Sequence, residues 1–213
     1  METVFPKVVF TLFGIIPVRD TVISTWIMIA LTLGVVVTLR RLMPAALEMF
    51  IGFVSDTVSD MLGRPAEPFL PFLGAVILFL LLANNLGLLP FLVTPTKDIN
   101  TPLAMALVVF FGVHYYGIRE KGLWGYLKGL ATPIFLLPLE IIGQLSRTIS
   151  LTLRLFGNVL SSEFIVTVIF SLVQPIAPLP MMVLGTVSGV LQAYIFTVLA
   201  LSYIASALGG GKS

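Results

Sequence analysis

Long apolar segments separated by short polar ones run along most of this chain of 213 residues. A bilayer core about 30 Å thick takes about 20 apolar residues in a helix, and residues 21–39 fit that length without a single charge. The same pattern recurs at residues 72–93, 102–117 and 181–208 and, over a longer stretch, at residues 132–174. It predicts an all-α integral membrane protein with about five spanning helices.

Residues 44–63 follow a different pattern, with apolar side chains at helical spacing and acidic or serine side chains between them. Leu47, Phe50, Val54 and Val58 belong to the apolar face. This arrangement predicts an amphipathic interfacial helix. Two interpretations stay open, since such a helix either docks on a partner or lies among the lipid headgroups.

The two ends of the chain are predicted to lie outside the spans. Residues 1–20 contain a short apolar run preceded only by Lys7, so we expect an external segment at the membrane surface rather than a cleaved signal. Residues 209–213 end in Gly-Lys-Ser, but Ser206 stands where a phosphate-binding loop requires glycine. We therefore expect a flexible tail and no bound nucleotide.

Composition narrows the class of protein. Charged residues make up 10% of the chain and hydrophobic ones 58%, whereas soluble domains are about 25% charged. Residues 1–213 are therefore expected to form one membrane domain with no room for a soluble catalytic domain, and we expect no cofactor. The absence of cysteine excludes disulfides and thiolate metal sites, and a net charge of +2 gives no indication of nucleic acid binding.

Basic residues next to a span favour the cytoplasm. They follow the first and third spans, as Arg40 and Arg41 and then as Arg119, Lys121 and Lys128 in a predicted loop. We expect the N-terminus outside, the C-terminus in the cytoplasm, and the short loop with Asp98 and Asn100 on the outer side.

The segment 132–174 carries ionisable residues inside an apolar run. Each charge at the centre of a span costs roughly 2.5 to 3.5 kcal/mol on the insertion scale, so such residues usually mark an ion or substrate path. Glu140, Arg147 and Arg154 are seven residues apart, and Asn158 follows one turn later. This spacing places them along one helical face, called here the polar stripe. Glu163 lies nine residues beyond Arg154 and should face a different neighbour.

Length adds a constraint on this segment. Residues 139–174 amount to 36 positions, which as one helix would measure about 54 Å against a core of about 30 Å. Either the helix breaks near Gly157, or it lies strongly tilted against a partner surface.

Polar residues on other spans are candidates for contact with this stripe. Ser188, Gln192, Tyr203 and Ser206 share one face of the last segment, where interhelical packing and the lining of a path are equally good interpretations. For Asn84 and Asn85 in the second span we favour packing over lining. His114 beside two tyrosines is typical of an aromatic cluster at the interface rather than of a proton relay.

Arg154 suggests a mechanism by its chemistry alone. A guanidinium stays protonated under nearly all conditions, whereas a desolvated lysine can lose its proton. A mobile carboxylic acid that arrived beside Arg154 would have its ionised form favoured and would release its proton there.

Four stretches carry a resemblance to a known family. SLTLRLFGNVLSSE at residues 150–163 closely resembles the signature of the membrane subunit a of F-type ATP synthases. LANNLGLLP, PTKDINTPLAMAL and LQAYIFTVLA, at residues 82–90, 95–107 and 191–200, are similar to further segments of that family in the same order. The likeness covers nearly the whole chain.

The resemblance implies a stator that borders a ring of c subunits in a bacterial plasma membrane, together with the stalk subunit b and lipid. It implies that Arg154 separates two half-channels, that Asn158 and Gln192 flank it, and that Glu163 and Glu140 serve the outer and inner paths. For Glu140, pairing with Arg147 remains an equally good interpretation.

One position departs from the family pattern. Some members pair the equivalent of Glu163 with an ionisable residue on the last helix, where this chain has Gly185. The sequence leaves open what replaces that residue, and whether protons or sodium ions are carried. A self-sufficient secondary transporter is the alternative function, although such proteins often contain internal repeats and none is evident here.

Overall fold

The computed structural model describes residues 8–12, 16–88, 94–131, 137–172 and 178–209. A two-stranded antiparallel sheet precedes six helices in these residues. The strands are β1 (Val8–Leu12) and β2 (Ile16–Arg19), and the helices are α1 (Asp20–Leu42), α2 (Pro44–Leu62), α3 (Leu70–Asn85), α4 (Asn100–Ala131), α5 (Leu137–Leu172) and α6 (Pro178–Leu208). Two short 3₁₀ turns, Leu86–Leu88 and Pro95–Lys97, connect α3 to α4.

The predicted all-α integral membrane fold is confirmed. Within the described residues, four helices are long and apolar enough to cross a membrane, namely α1, α4, α5 and α6, and α3 is a shorter apolar helix. The strand pair at the N-terminus was not predicted. Other predicted segments lie partly outside the described residues, at residues 1–7, 13–15, 89–93, 132–136, 173–177 and 210–213.

Helix ends follow proline and glycine. Pro44 opens α2, where a missing N–H costs nothing, and Gly63 closes it with a φ of 59°. Helix α3 ends at Asn85, well before residue 93, the end predicted for that span. Gly87 follows within the 3₁₀ turn Leu86–Leu88, and residues 89–93 of the predicted span lie outside the described residues.

The basic loop predicted after residue 117 is wrong. Helix α4 continues to Ala131, so Arg119, Lys121 and Lys128 lie on helical residues. Gly122 interrupts this helix with a φ of 71° and a ψ of 161°, a conformation that glycine adopts without a steric cost. The polarity of this stretch marks helical turns beyond the apolar span, not a loop.

Helix α5 runs through Gly157 without a non-helical residue and contains 36 residues. The predicted alternative of a break near Gly157 is therefore wrong. At 1.5 Å per residue the helix is about 54 Å long. Its length leaves the tilted arrangement as the one that fits a bilayer core of about 30 Å.

Helix α6 lies at the centre of the bundle, where α2, α3, α4 and α5 pack against it. Its fully buried side chains include Ala193, Phe196, Ala200 and Ile204. Small residues on α6 allow neighbouring backbones to approach closely, as is common between helices in lipid. The core positions α5 and α3 on two sides of α6, and the polar residues described next face the spaces between them.

Candidate functional site

Two polar cavities lie along α5 and α6. The first, called here the Glu140 cavity, has a volume of about 290 Å³ and lies between α4, α5 and α6. Its polar lining comes from His114, Lys121, Tyr126, Glu140, Gln144, Arg147, Thr148, Tyr203 and Ser206. The N-terminal half of α5 and the C-terminal half of α6 thus border one polar cavity.

Contacts in the Glu140 cavity differ from the predicted pairing of Glu140 with Arg147. The Gln144 side chain donates to Glu140 Oε1 at 3.3 Å, and the Arg147 guanidinium lies 5.5 Å from the centre of the Tyr203 ring. Within the described part of the chain, no ion pair joins Glu140 to Arg147. A distance of seven residues places them two turns apart, and Gln144 and Tyr203 offer nearer partners.

His114 was predicted to belong to an aromatic cluster with the adjacent Tyr115 and Tyr116. Its ring contacts Phe110 instead, with centroids 4.3 Å apart, and Tyr126 at 5.9 Å. The same side chain lines the Glu140 cavity. At the rim, Lys121 Nζ donates to the Ala207 carbonyl at 2.7 Å and so satisfies an acceptor at the end of α6.

The second space, called here the Glu163 cavity, has a volume of about 320 Å³. It lies where α5, α6, the end of α3 and the two 3₁₀ turns meet. Its polar lining comes from Asn84, Asn85, Thr94, Lys97, Asn158, Ser162, Glu163, Thr167 and Thr186. Gly185 also lines it, and the residues that α6 contributes to this wall carry no ionisable group.

Charged residues of the turn between α3 and α4 are buried. Lys97 Nζ lies 3.9 Å from Glu163 Oε2, with side-chain exposures of 4% and 28%. Asp98, predicted in an outward-facing loop, is buried as well. It accepts hydrogen bonds from the Thr21 hydroxyl at 3.0 Å and from the Asn100 side chain at 2.9 Å. These contacts tie the turn to α1 and to the start of α4.

The two asparagines of α3 hold this turn against α6. Asn84 Nδ2 donates to the Gly189 carbonyl at 3.1 Å, and Asn84 Oδ1 accepts from the Thr96 hydroxyl at 3.1 Å. Asn85 donates to the Leu81 carbonyl at 2.7 Å, and its buried Oδ1 has no partner among the described residues. Both side chains therefore serve packing and also line the Glu163 cavity.

Polar contacts also join α5 to α6. The Ser188 hydroxyl donates to Asn158 Oδ1 at 2.7 Å, and Asn158 Nδ2 donates to the Ser188 carbonyl at 3.4 Å. Gln192, one turn further along α6, is buried, and its Nε2 has no hydrogen-bond partner among the described atoms. The predicted polar face of α6 is thus divided, because Ser188 bonds to Asn158 and lines neither cavity, whereas Tyr203 and Ser206 line the Glu140 cavity.

Arg154 lies between the two cavities and lines neither. Leu151 borders the Glu140 cavity and Asn158 the Glu163 cavity, about 4.5 and 6 Å from Arg154 along the axis. The side chain is exposed, and no hydrogen bond or ion pair is recorded for it in the described ranges. The polar stripe is therefore split, because Glu140, Arg147 and Asn158 face cavities while Arg154 points away from the bundle.

A packed layer separates the cavities inside the bundle. Leu155 on α5 and Ala193 and Phe196 on α6 are fully buried at 0% exposure, at the level between the two polar spaces. The buried polar side chains of Thr152, Gln192 and Thr197 lie at the same level. Arg154 is exposed at this level of α5.

Sequence reasoning missed Lys97 as a member of this site. It lies within PTKDINTPLAMAL, which was recognised only as a matching segment. A lysine beside an aspartate in a short polar connection normally indicates a solvated loop, and only the tertiary contacts bury it against Glu163. The adjacent asparagine pair in α3 was the available signal that polar groups gather at this end.

Comparisons with known proteins agree with one another. The model of the family described as ATP synthase A chain matches residues 21–205. A protein named ATP synthase subunit a 2 from Bradyrhizobium sp. (strain BTAi1) is 47% identical over 208 residues, which cover 93% of each chain. ATP synthase subunit a from Moorella thermoacetica is 37% identical over 218 residues, or 99% of this chain and 100% of the relative.

Proposed function

Because this chain belongs to the ATP synthase A chain family, we propose that it is the stator subunit a of a rotary F-type ATP synthase. In this role it conducts ions between the two sides of the membrane and couples their flow to rotation of a ring of c subunits. The chain itself carries out no catalytic step, since nucleotide chemistry belongs to other subunits of such a complex. The named relatives support this function over a self-sufficient transporter.

The arrangement of Arg154 and the two cavities is the observation that carries the proposal. Each cavity is polar and holds one carboxylate, Glu140 in one and Glu163 in the other. Buried side chains, including Leu155 on α5 and Phe196 on α6, lie between the two cavities, and Arg154 lies on the exposed side at the same level. This geometry suits two half-channels that communicate only through a group carried past Arg154 by a partner.

The c ring is the partner that fits this face. Leu145, Ile149 and Leu153 on α5 are each more than half exposed, so α5 presents an apolar surface around Arg154. A carboxylate carried on that ring would be attracted by the guanidinium with about 4 kcal/mol at 4 Å and an effective dielectric constant of 20. The ionised form is favoured there, and the carboxylate releases its ion.

Each carboxylate of the chain then serves one half-channel. Glu163 passes ions between the outer side and the ring, and Glu140 does so on the cytoplasmic side, because a positioned carboxylate can accept and release protons. Asn158 and Gln192 flank Arg154 and keep the neighbouring helix faces polar. Four residues supply further polar lining, namely Tyr203, Ser206, Asn84 and Asn85, and Ser188 holds Asn158 through its hydrogen bond.

The placement in the membrane follows from the same proposal. The protein is integral to a membrane, and we assign it to the bacterial plasma membrane with the N-terminus outside and the C-terminus in the cytoplasm. Lipid surrounds α1, whose exposed residues include Trp26 and Leu33. The stalk subunit b is the further partner, and the amphipathic helix α2 offers it a surface at the cytoplasmic side.

ATP-driven acidification of inverted membrane vesicles tests the proposal. We expect Arg154→Ala and Arg154→Lys to abolish pumping in complexes that assemble normally, because neither keeps a permanent planar cation at this position. Arg40→Ala, at an exposed position at the end of α1, is the control and should pump normally. Undiminished pumping by Arg154→Ala would refute the assigned role.

A second variant tests the outer path. Glu163→Gln should slow pumping less severely than Arg154→Ala, because water can carry ions through a polar cavity when one relay is missing. Wild-type rates in Glu163→Gln would remove Glu163 from the path. Purified chain in liposomes without its complex should conduct nothing, whereas ion transport by the chain alone would favour the transporter alternative.

A further inference from the structure

The Glu163 cavity contains a second charged side chain, Lys97, to which the proposed function assigns no role. We propose that Lys97 is the resident counter-charge of Glu163, a positioning residue that takes the place of the ionisable partner absent from α6 at Gly185. The proposal rests on the assignment of Glu163 to the outer half-channel and names the residue that governs it.

Burial requires Lys97 to have a charged partner. Its side chain is only 4% exposed, and its ammonium lies 3.9 Å from Glu163 Oε2. A buried charge is tolerated when it is paired, and removal of one partner leaves the other uncompensated. The neighbouring carboxylate of Asp98 accepts hydrogen bonds from Thr21 and Asn100 and does not line the Glu163 cavity.

The α6 wall of the cavity supplies no charged partner for Glu163. Helix α6 contributes Met181, Met182, Gly185, Thr186 and Gly189 to it, and none of these side chains carries a charge. A side chain added at Gly185 would first meet Ser162 Cβ at 3.7 Å, which is ordinary packing distance. The position therefore has room for a larger residue, and the positive charge beside Glu163 comes instead from the turn between α3 and α4.

The turn fixes the backbone of Lys97 and leaves its ammonium adjustable. Pro95 opens the turn, and the Thr96 hydroxyl donates to Asn84 Oδ1 on α3, so the turn is tied to α3. Lysine carries a compact charge on a flexible stem of four carbons. At 3.9 Å the ammonium and the carboxylate attract each other near the long limit for an ion pair, and a small movement separates them.

This geometry gives Lys97 two effects on a passing cation. While the carboxylate is empty, the ammonium balances its charge and so favours its ionised form, which is the form that accepts a cation. Once a cation binds to Glu163, the nearby positive charge opposes its retention, because like charges at such a distance repel. The ion is therefore passed on to the ring and not held in the cavity.

Substitution of Lys97 in the complete ATP synthase tests the proposal. We expect ATP-driven acidification by Lys97→Met to be about tenfold slower than wild type, a loss within the range of coupling in one ion-pair network. Methionine keeps the volume of the lysine stem and removes its charge. Lys97→Arg keeps the charge and should retain most of the rate, and Lys128→Met, at an exposed position on α4 outside both cavities, should pump normally.

The double variant Lys97→Met/Glu163→Gln separates the outcomes. If the two residues act together, it pumps no more slowly than Glu163→Gln alone. Wild-type rates in Lys97→Met, or equal losses in Lys97→Met and Lys97→Arg, would overturn the proposal. If Glu163→Gln is slow while Lys97→Met is normal, only the role of Lys97 fails, whereas wild-type rates in Glu163→Gln would remove the outer relay itself.

Assembly of the variant complexes distinguishes an ion pair between Lys97 and Glu163 from simple packing of Lys97. Should Lys97→Met fail to assemble, the double variant, which removes both charges, is expected to assemble because no unpaired buried carboxylate remains. Failure of the double variant to assemble as well would show that Lys97 acts by packing and would overturn the pairing.

Discussion

Gly189 on α6 is the point where α3 and α6 come closest beside the Glu163 cavity. A Cβ atom at this position would lie 3.2 Å from Asn84 Cβ and 3.3 Å from Asn85 Oδ1, whereas carbon atoms pack best at about 3.5 to 4.0 Å. Its carbonyl accepts the hydrogen bond from Asn84 Nδ2 at 3.1 Å. Replacement by valine must therefore push the two helices apart or displace both asparagines.

The cost of Gly189→Val has two parts. Overpacking in a core costs about 1 to 3 kcal/mol, and loss of an interhelical hydrogen bond in a membrane costs about 0.6 kcal/mol on average and up to about 1.7. Together they predict a destabilisation of about 3 kcal/mol. Gly189→Ala should be nearly neutral, because the helix propensity gained over glycine, about 1 kcal/mol, offsets a smaller steric penalty.

The assay compares complete complexes purified in a mild detergent. After heating over a range of temperatures, the fraction of the chain still bound in the complex gives a midpoint temperature, and acidification of vesicles gives the pumping rate. Gly34→Val on α1 is the matched control, since a Cβ at that position meets nothing within 4 Å. We expect only Gly189→Val to lower the midpoint clearly and to slow pumping.

A specific result would refute this reasoning. If Gly189→Val has the same midpoint and the same pumping rate as Gly34→Val, the approach of α3 to α6 is not as tight as described. The wall of the Glu163 cavity would then not depend on the contact between the asparagines and Gly189.

Two further predictions concern contacts of α5 with α6. Asn158→Ala and Ser188→Ala should each destabilise the complex by about 1 kcal/mol. The double variant should lose less stability than the sum of the two single variants, because the two side chains share their hydrogen bonds. Additive losses in heating assays would contradict the pairing. Tyr203→Phe should keep the contact of Arg147 with an aromatic face and pump normally, whereas Tyr203→Leu should lose about 0.5 to 2 kcal/mol of interaction and pump more slowly. Equal pumping by Tyr203→Phe and Tyr203→Leu would show that the ring does not position Arg147.

Most of the fold followed from patterns within single segments. Apolar length predicted the helices that became α1, α5 and α6, because a residue's preference for lipid depends on its own side chain. The errors concern segment ends. The basic residues after residue 117 indicated a loop, yet α4 continues past them to Ala131, and the apolar run to residue 93 extends beyond the end of α3 at Asn85.

Only part of the candidate site could be predicted from patterns within single segments. Glu140, Arg154 and Glu163 stand out because an ionisable residue in an apolar segment is costly wherever it lies. The sequence did not predict correctly which way each side chain points. Its spacing placed Arg154 on one stripe with Arg147 and Asn158. In the structure Arg154 is exposed and the other two line separate cavities, because α6 covers only part of that face.

The sequence by itself determined that this is a helical membrane protein of the ATP synthase A chain family, and it predicted a central role for Arg154. Only the tertiary structure decided that a packed layer divides two cavities and that Lys97 lies beside Glu163. The physical reason is the distance along the chain over which each property acts. Hydrophobicity and the cost of a buried charge are properties of single residues and their close neighbours in sequence, whereas a cavity or an ion pair across 66 positions exists only when separate helices pack together.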